Sequence, residues 1–126
     1  MSRPDIEKEL VLAFEALPGI RAGTVTPKPD KFEAVLATDV FVRVGKLSGL
    51  REEITDFPVV DIDVFGLKRD DAFDAAEVIS AFLAPRRRLV SAIIDNVRVN
   101  VSPRRLPWDN DRIIRFSATY IISVRR

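Results

Sequence analysis

The sequence contains neither cysteine nor histidine, and it has one tryptophan and one tyrosine among its 126 residues. Without cysteine the chain cannot form disulfides, thiolate nucleophiles or zinc–cysteine sites. Without histidine it lacks the commonest general base and the commonest transition-metal ligand. Any catalysis would therefore have to rest on carboxylates, lysine, serine or Tyr120.

Long apolar runs and the common phosphate-binding and nucleophile motifs are also missing from the sequence. No segment approaches the roughly 18–20 apolar residues that a membrane-spanning helix needs, and the charged start MSRPDIEKEL is unlike a signal peptide. The sequence contains no glycine-rich phosphate loop and no G-x-S-x-G elbow. We therefore expect a soluble, intracellular product without a cofactor.

The composition is that of a globular protein, with 47% hydrophobic and 31% charged residues. Its length is typical of one domain, so we expect residues 1–126 to form a single domain. Lysine and arginine number 20 against 19 acidic residues, for a net charge of +1. This balance argues against a protein that grips duplex DNA, because such proteins usually carry a basic excess.

Two segments have the pattern of amphipathic helices. The first, SRPDIEKELVLAFEALPG, has an apolar stripe at helical spacing and ends at Pro18-Gly19. The second, LKRDDAFDAAEVISAFLAP, has a similar stripe, with Asp70 or Asp71 as its predicted N-cap and Pro85 closing it. Both stripes are typical of helices that pack on a core.

Four segments are predicted as strands: Val40–Val44, the alternating stretch FPVVDIDVFG, Ala92–Val101 with a bulge at Asp95-Asn96, and the final RIIRFSATYIISVRR. The order of these elements predicts an α+β fold. Its sheet should be mixed or mostly antiparallel, with the two main helices packed on one face.

Two stretches are predicted as long loops. Ile20–Asp39 contains Gly23, Pro27 and Pro29, and only a short strand is expected within it, around Thr24–Thr26. Ser102–Asp111 contains two prolines and Trp108. Loops of this length usually have a function or become ordered against a partner.

Asp61 and Asp63 stand two apart in the strand FPVVDIDVFG, so their side chains share one face. Carboxylates so placed serve as ligands in two-metal hydrolases, and a third could come from Asp70, Asp71 or Asp95. Such a site normally also uses an activating base. The main alternative is that this sheet face is polar because it meets water or another subunit.

Arginines cluster near the ends of several elements, at Arg86–Arg88, Arg104-Arg105 and Arg125-Arg126. Such clusters are usually solvated, although arginine also favours bidentate contacts with carboxylates or phosphates across an interface. Trp108, next to Asp109, either covers the core or anchors a protein partner, because tryptophan is enriched at interface hot spots.

Four stretches in succession carry a resemblance over nearly the whole chain: DIEKELVLAFEALPG, VFVRVGKLSG, DFPVVDIDVFGLKRDDAFDAAEVI and LPWDNDRIIRFSATYIISVR. In this order and spacing the chain resembles tail terminator (tail completion) proteins of long-tailed bacteriophages, especially those of actinobacterial phages. Each stretch alone is a weak pattern, and the specificity lies in their succession.

The resemblance implies a small non-enzymatic subunit of the virion, placed at the tail–neck junction. Six copies would form a ring on the end of the completed tail tube, stop its polymerisation and offer a docking surface to the head-side connector. Genomic DNA would pass through the central channel without sequence-specific binding. Assembly would take place in the host cytoplasm.

The resemblance also suggests roles for particular residues. Asp61 and Asp63 would line the channel, where they repel DNA phosphates, or meet a neighbouring subunit through arginines such as Arg98 or Arg115. The loops Ile20–Asp39 and Ser102–Asp111 would reach neighbours, tube or connector. In the second loop this places a docking surface at Arg104, Arg105, Trp108 and Asp109.

Other readings stay open at the level of sequence. A different neck component, such as a head-closure or head–tail joining protein, has similar size and composition. A nuclease using Asp61 and Asp63 with magnesium, or a nucleic-acid-binding module using the arginines, represents another class. In a cellular genome such a chain would be a prophage remnant or a part of a tail-derived particle.

Overall fold

The computed structural model describes residues 5–46 and 58–125. These residues form three helices, α1 (Ile6–Glu15), α2 (Pro29–Leu36) and α3 (Arg69–Phe82). They also form five strands, β1 (Ile20–Gly23), β2 (Val40–Lys46), β3 (Val59–Gly66), β4 (Ile93–Leu106) and β5 (Ile114–Arg125). The predicted α+β class is confirmed. None of the described helices is long and apolar enough to cross a membrane.

The strands form one sheet in the order β1-β2-β3-β5-β4. β1 pairs with β2 in parallel, and the other three pairs are antiparallel. The sheet is therefore mixed and mostly antiparallel, as the sequence predicts. β3 lies at its centre, so the side chains of the FPVVDIDVFG stretch are flanked by β2 on one side and β5 on the other.

One face of the sheet packs against α1 and α3, the two helices predicted to share a face. Its inward residues are buried and alternate along each strand, as the period of two requires. They are Val42 and Val44 of β2, Val60, Ile62 and Val64 of β3, and Phe116, Ala118, Tyr120 and Ile122 of β5. This layer is the main hydrophobic core. Burial raises the pKa of Tyr120 above its ordinary value. A hydrogen bond with Ser80 lowers this pKa in part, and the negative charge of Glu77 raises it further.

The other face of the sheet carries a second, smaller core, formed with α2. Phe32 and Leu36 of α2 pack with Phe41, Phe65 and Ile113. Because Phe41 and Phe65 stand directly opposite each other on β2 and β3, they form one apolar platform under the helix. The rest of this face, further along the same strands, is polar.

The prediction that Ile20–Asp39 is mainly a loop is wrong. The segment contains β1, which precedes rather than covers the expected strand at Thr24–Thr26, and all of α2. Pro29 occupies the start of α2, where its missing N–H costs no hydrogen bond, and Asp30 follows in the first turn. The segment predicted as a loop thus consists of a short strand, a connection and a short helix.

The prediction that Ser102–Asp111 is a loop is wrong in its first half. β4 continues to Leu106, and Arg104 and Arg105 pair with Ser117 and Phe116 of β5. The predicted bulge at Asp95-Asn96 is confirmed by a shift of register between Ile94 and Asn96, and two further shifts follow before Arg104. No described strand pairs with the outer edge of β4.

The two main helices begin differently. Asp5 caps α1, and its carboxylate accepts a hydrogen bond from the Lys8 backbone N–H at 3.2 Å. The prediction that Asp70 or Asp71 caps α3 is wrong: α3 begins at Arg69 after Lys68, and both aspartates lie inside its first turn, where they favour the positive end of the helix dipole. Gly66 allows β3 to pass close to this turn, since a Cβ there would meet the Ala72 Cβ at 3.2 Å.

Candidate functional site

The polar part of the second sheet face is built from matched positions on neighbouring strands. Arg43 of β2, Asp63 of β3 and Ser117 of β5 lie opposite one another in the register. One row further along, Asp61 lies opposite Thr119. Side chains directly opposite on antiparallel strands are close enough to interact, so these rows bring polar side chains from three strands together.

Asp63 is the centre of this group and is only 4% exposed. Its Oδ2 accepts hydrogen bonds from Arg43, at 2.7 Å from Nη2 and 3.2 Å from Nε. Its Oδ1 accepts one from Arg115 Nε at 2.9 Å. Both carboxylate oxygens are therefore engaged by arginines of the same chain, one from each flanking strand, which compensates for the burial of the charge.

Aromatic rings cover the two arginines. The guanidinium carbons of Arg43 and Arg115 each lie 5.5 Å from the centre of the Trp108 ring, and Arg43 lies 5.6 Å from that of Phe65. Phe65 and Trp108 are in edge contact at 4.8 Å, and Phe32 of α2 touches both. A cation within about 6 Å of an aromatic centre is attracted to it. We call these six residues, Phe32, Arg43, Asp63, Phe65, Trp108 and Arg115, the Trp108 cluster.

Asp61 has a different environment from Asp63, although the predicted sharing of one face is confirmed. It is half-buried, and its carboxylate accepts a hydrogen bond from Thr119 Oγ1 at 2.7 Å. Beside Asp63, guanidinium groups take the positions that a metal cation would need. In the described residues no three acidic side chains come together as a metal-binding group.

The remaining predicted site residues lie on β4 and on the connection that follows it, and they are mostly exposed. Arg98 stands on β4 opposite Ile121, so it shares the second sheet face. Arg98, Arg104, Arg105 and Asp109 are exposed, whereas Trp108 is half-buried by its contacts in the cluster. Arg115, predicted as a partner for the aspartates, does contact Asp63, but within its own chain.

The connection from β4 to β5, which contains Trp108, is tied to α2. Asn110 donates a hydrogen bond to Glu33 at 2.9 Å, and Arg112 forms an ion pair with the same carboxylate at 3.3 Å. A surface cavity of about 440 Å³ lies beside Trp108, lined also by Arg105, Leu106 and Asp111 among others. The arrangement is a rigid, partly aromatic surface with exposed charges at its margin, suited to binding a protein.

Sequence reasoning missed Arg43, Phe32 and Glu33 as parts of this surface. The signal for Arg43 is present in VFVRV, where alternation places it on the face opposite to Val42 and Val44. Its partner depends on the pairing of β2 with β3, which no local pattern specifies. Phe32 and Glu33 were hidden because α2 was not recognised as a helix.

Comparison with known proteins identifies similarity in fold alone. Neither a protein-family model nor a curated protein matches the chain. Among solved structures, the chain is similar to a chain in the structure described as the virion of a native gene transfer agent particle. The TM-score is 0.55 at 16% sequence identity, over 92% of this chain and 85% of the other. The α+β architecture of this protein is thus shared, almost from end to end, with a component of a virion particle.

Proposed function

We propose that this protein is a structural component of a phage-like virion. The observation that carries the proposal is the similarity of fold to a chain of a gene transfer agent virion, which covers 92% of this chain. A match of that extent concerns the whole subunit rather than one common motif. The guanidinium groups on Asp63 agree with a structural role for that carboxylate, because both of its oxygens already bind arginines of the same chain.

More specifically, we propose that the protein is a tail terminator. Six copies would form a ring at the end of the tail tube, stop its growth and receive the head-side connector, with DNA passing through the channel. The resemblance in sequence to tail terminators of long-tailed phages supports this position. The role requires no turnover, and it would place the protein at the tail–neck junction of the virion.

Within this ring, the Trp108 cluster would hold the docking surface rigid. Asp63 and Arg115 act inside the subunit, since they bind each other. Asp61 and Arg98, which are more accessible on the same sheet face, remain the candidates for the channel or a neighbouring subunit. Arg104, Arg105 and Asp109, exposed around Trp108, would contact the tube or the connector.

The test is the solution mass by light scattering, for the protein alone and mixed with the tail-tube protein from the same genome. Six copies of the 14.2-kDa chain weigh about 85 kDa. We expect a species near this mass, alone or on addition of tube protein. A chain that stays monomeric and ignores the tube protein would overturn the terminator assignment.

A matched variant separates docking from ring formation. Arg104→Ala/Arg105→Ala removes two exposed side chains whose backbone pairing with β5 does not depend on them. We expect this variant to fold and to retain the mass of the wild-type assembly, while its binding to tube protein or connector weakens. Unchanged binding to both would remove these arginines from the docking surface.

A further inference from the structure

A groove lies beside α3, from the turn before the helix to Val78. Its volume is about 570 Å³, within the range of roughly 300–1,000 Å³ typical of sites that receive a small ligand or a few side chains. Its lining is largely apolar and includes Leu36, Leu67 and Val78, the last of which is 48% exposed. The groove is therefore an apolar surface left open in the single chain.

The groove is bordered by acidic residues. Its lining includes Asp39, which directly precedes β2, and Asp71 and Asp74, which lie in the first turns of α3. No ion pair between described residues involves these three aspartates. An apolar floor with a negative border favours a partner segment that presents an apolar side chain together with cations.

The turn that follows α3 has that composition. Val90 is 65% exposed, and Arg86 and Arg88 beside it are exposed as well. Val90 is exposed although Leu89 before it and Ala92 after it are buried. We call residues 86–90 the basic turn. Its exposed valine and the arginines that precede it are complementary to the apolar floor and acidic border of the groove.

The basic turn is held in a fixed conformation. The Arg86 N–H donates to the Ile94 carbonyl at 2.7 Å, and the Leu89 N–H donates to the Ala92 carbonyl, also at 2.7 Å. Ser91 donates from both its backbone N–H and its hydroxyl to the carboxylate of Glu9, a residue that is only 5% exposed. A turn with this support loses little conformational freedom on binding, which favours affinity.

The groove and the basic turn lie at opposite ends of α3. The helix has 14 residues and is about 21 Å long, with Asp71 in its first turn and the basic turn after its last. A closed ring needs a head-to-tail interface, in which two different surfaces of each subunit meet. We propose that the basic turn of one copy enters the groove of the next, and that this contact closes the ring. This inference rests on the proposed ring.

Two charge-reversal variants test the contact. The groove variant is Asp71→Lys/Asp74→Lys, and the turn variant is Arg86→Glu/Arg88→Glu; all four side chains are exposed. Each variant alone places like charges across the contact, so its apparent dissociation constant should rise by at least about 100-fold. Circular dichroism confirms that both variants fold, and light scattering measures assembly under the conditions in which the wild type assembles.

Mixing the two variants in equal amounts provides the decisive measurement. The reversed groove of one variant is complementary to the reversed turn of the other, and their unchanged surfaces also match. The mixture should therefore assemble into rings of alternating subunits, which close only with an even number of copies. Assembly of either variant alone at wild-type concentrations, or a mixture that stays dissociated, would overturn the proposed contact.

A milder pair of variants covers the case in which a double reversal does not fold. Val90→Asp adds a negative charge at the tip of the basic turn, and it should block assembly. Val99→Asp makes the same change at a valine of β4 that is 55% exposed and lies outside both surfaces, and it should have no effect. Equal assembly by the two variants would contradict the proposal. A wild-type chain that is monomeric even with tube protein would instead refute the ring itself.

Discussion

Asp63 connects three strands through its two oxygens. Arg43 comes from β2 and Arg115 from β5, so the carboxylate joins both neighbours of its own strand β3. The burial of a charge costs free energy, which hydrogen bonds from two cations offset. The arginines keep part of their surface in water, with 27% and 21% of their side chains exposed.

We expect Asp63→Asn to lower the free energy of unfolding by about 2–3 kcal/mol. This is less than the roughly 3–5 kcal/mol for breaking a fully buried pair, because both arginines remain partly solvated. The neutral amide would leave two guanidinium groups facing each other without a counter-charge. Urea denaturation, with the slope checked for two-state behaviour, measures the change.

Asp61→Asn is the matched control for this substitution. It changes the same residue type two positions away on the same strand face, where the carboxylate contacts the Thr119 hydroxyl rather than an arginine. Its effect should be below about 1 kcal/mol. If the two variants unfold at the same urea concentration, the ion pairs of Asp63 contribute no more than an ordinary hydrogen bond.

At the residue scale, the alternation of FPVVDIDVFG was sufficient to predict which face Asp61 and Asp63 share. It was not sufficient to distinguish them, although one is buried and the other half-buried. That difference comes from Arg43, which binds Asp63 from a distant part of the chain, and from Trp108, which covers Arg43. The register between β2 and β3 determines the contact, and it is a property of the sheet rather than of a segment.

At the scale of elements, strongly periodic segments were predicted well and short or polar ones were not. α1, α3, β3 and β5 have long apolar patterns, whereas α2 has eight residues, begins with Pro29 and comes shortly after Pro27. The end of β4 resembles a loop because SPRRLP is polar and contains proline. Its strand conformation depends on pairing with β5, which local propensity does not report.

The packing of α2 gives a prediction with an optical readout. Phe32 is 2% exposed and touches Phe41, Phe65 and Trp108. Phe32→Ala should lower the free energy of unfolding by about 3–5 kcal/mol, a large share of the roughly 5–15 kcal/mol typical of a domain. Because Trp108 is the single tryptophan, its emission should shift to longer wavelength as water reaches the ring.

Phe73→Ala is the control for Phe32→Ala. Phe73 lies on α3, is 37% exposed and packs on Phe116 on the opposite side of the sheet. We expect a loss of about 1–2 kcal/mol and no change in tryptophan emission. An unchanged emission in Phe32→Ala as well would mean that α2 does not shield Trp108.

At the scale of the whole molecule, a net charge of +1 conceals a separation of charge. The border of the groove is acidic and the basic turn carries exposed arginines, at opposite ends of α3. A chain with this distribution has little overall attraction for polyanions such as DNA, whereas in the proposed ring the acidic groove of one copy would attract the basic turn of the next.

The assembly should therefore weaken as salt rises. The screening length falls from about 10 Å at 0.1 M ionic strength to about 3 Å at 1 M, which reduces attraction between the exposed arginines and aspartates. Light scattering at several sodium chloride concentrations measures the assembled fraction, with Val99→Asp as a control that should follow the wild type. An assembled fraction that stays constant or increases with salt would indicate a contact dominated by apolar burial.

The outer edge of β4 has a consequence for solubility. An open strand edge offers unpaired backbone groups on which further strands can stack into fibres. Here three shifts of register and Pro103 interrupt the edge, and Arg98, Arg104 and Arg105 add positive charge along it. Copies of the chain are thereby discouraged from joining through their backbones into amyloid-like aggregates. In the proposed ring, association between copies would then depend on side-chain contacts rather than on backbone pairing.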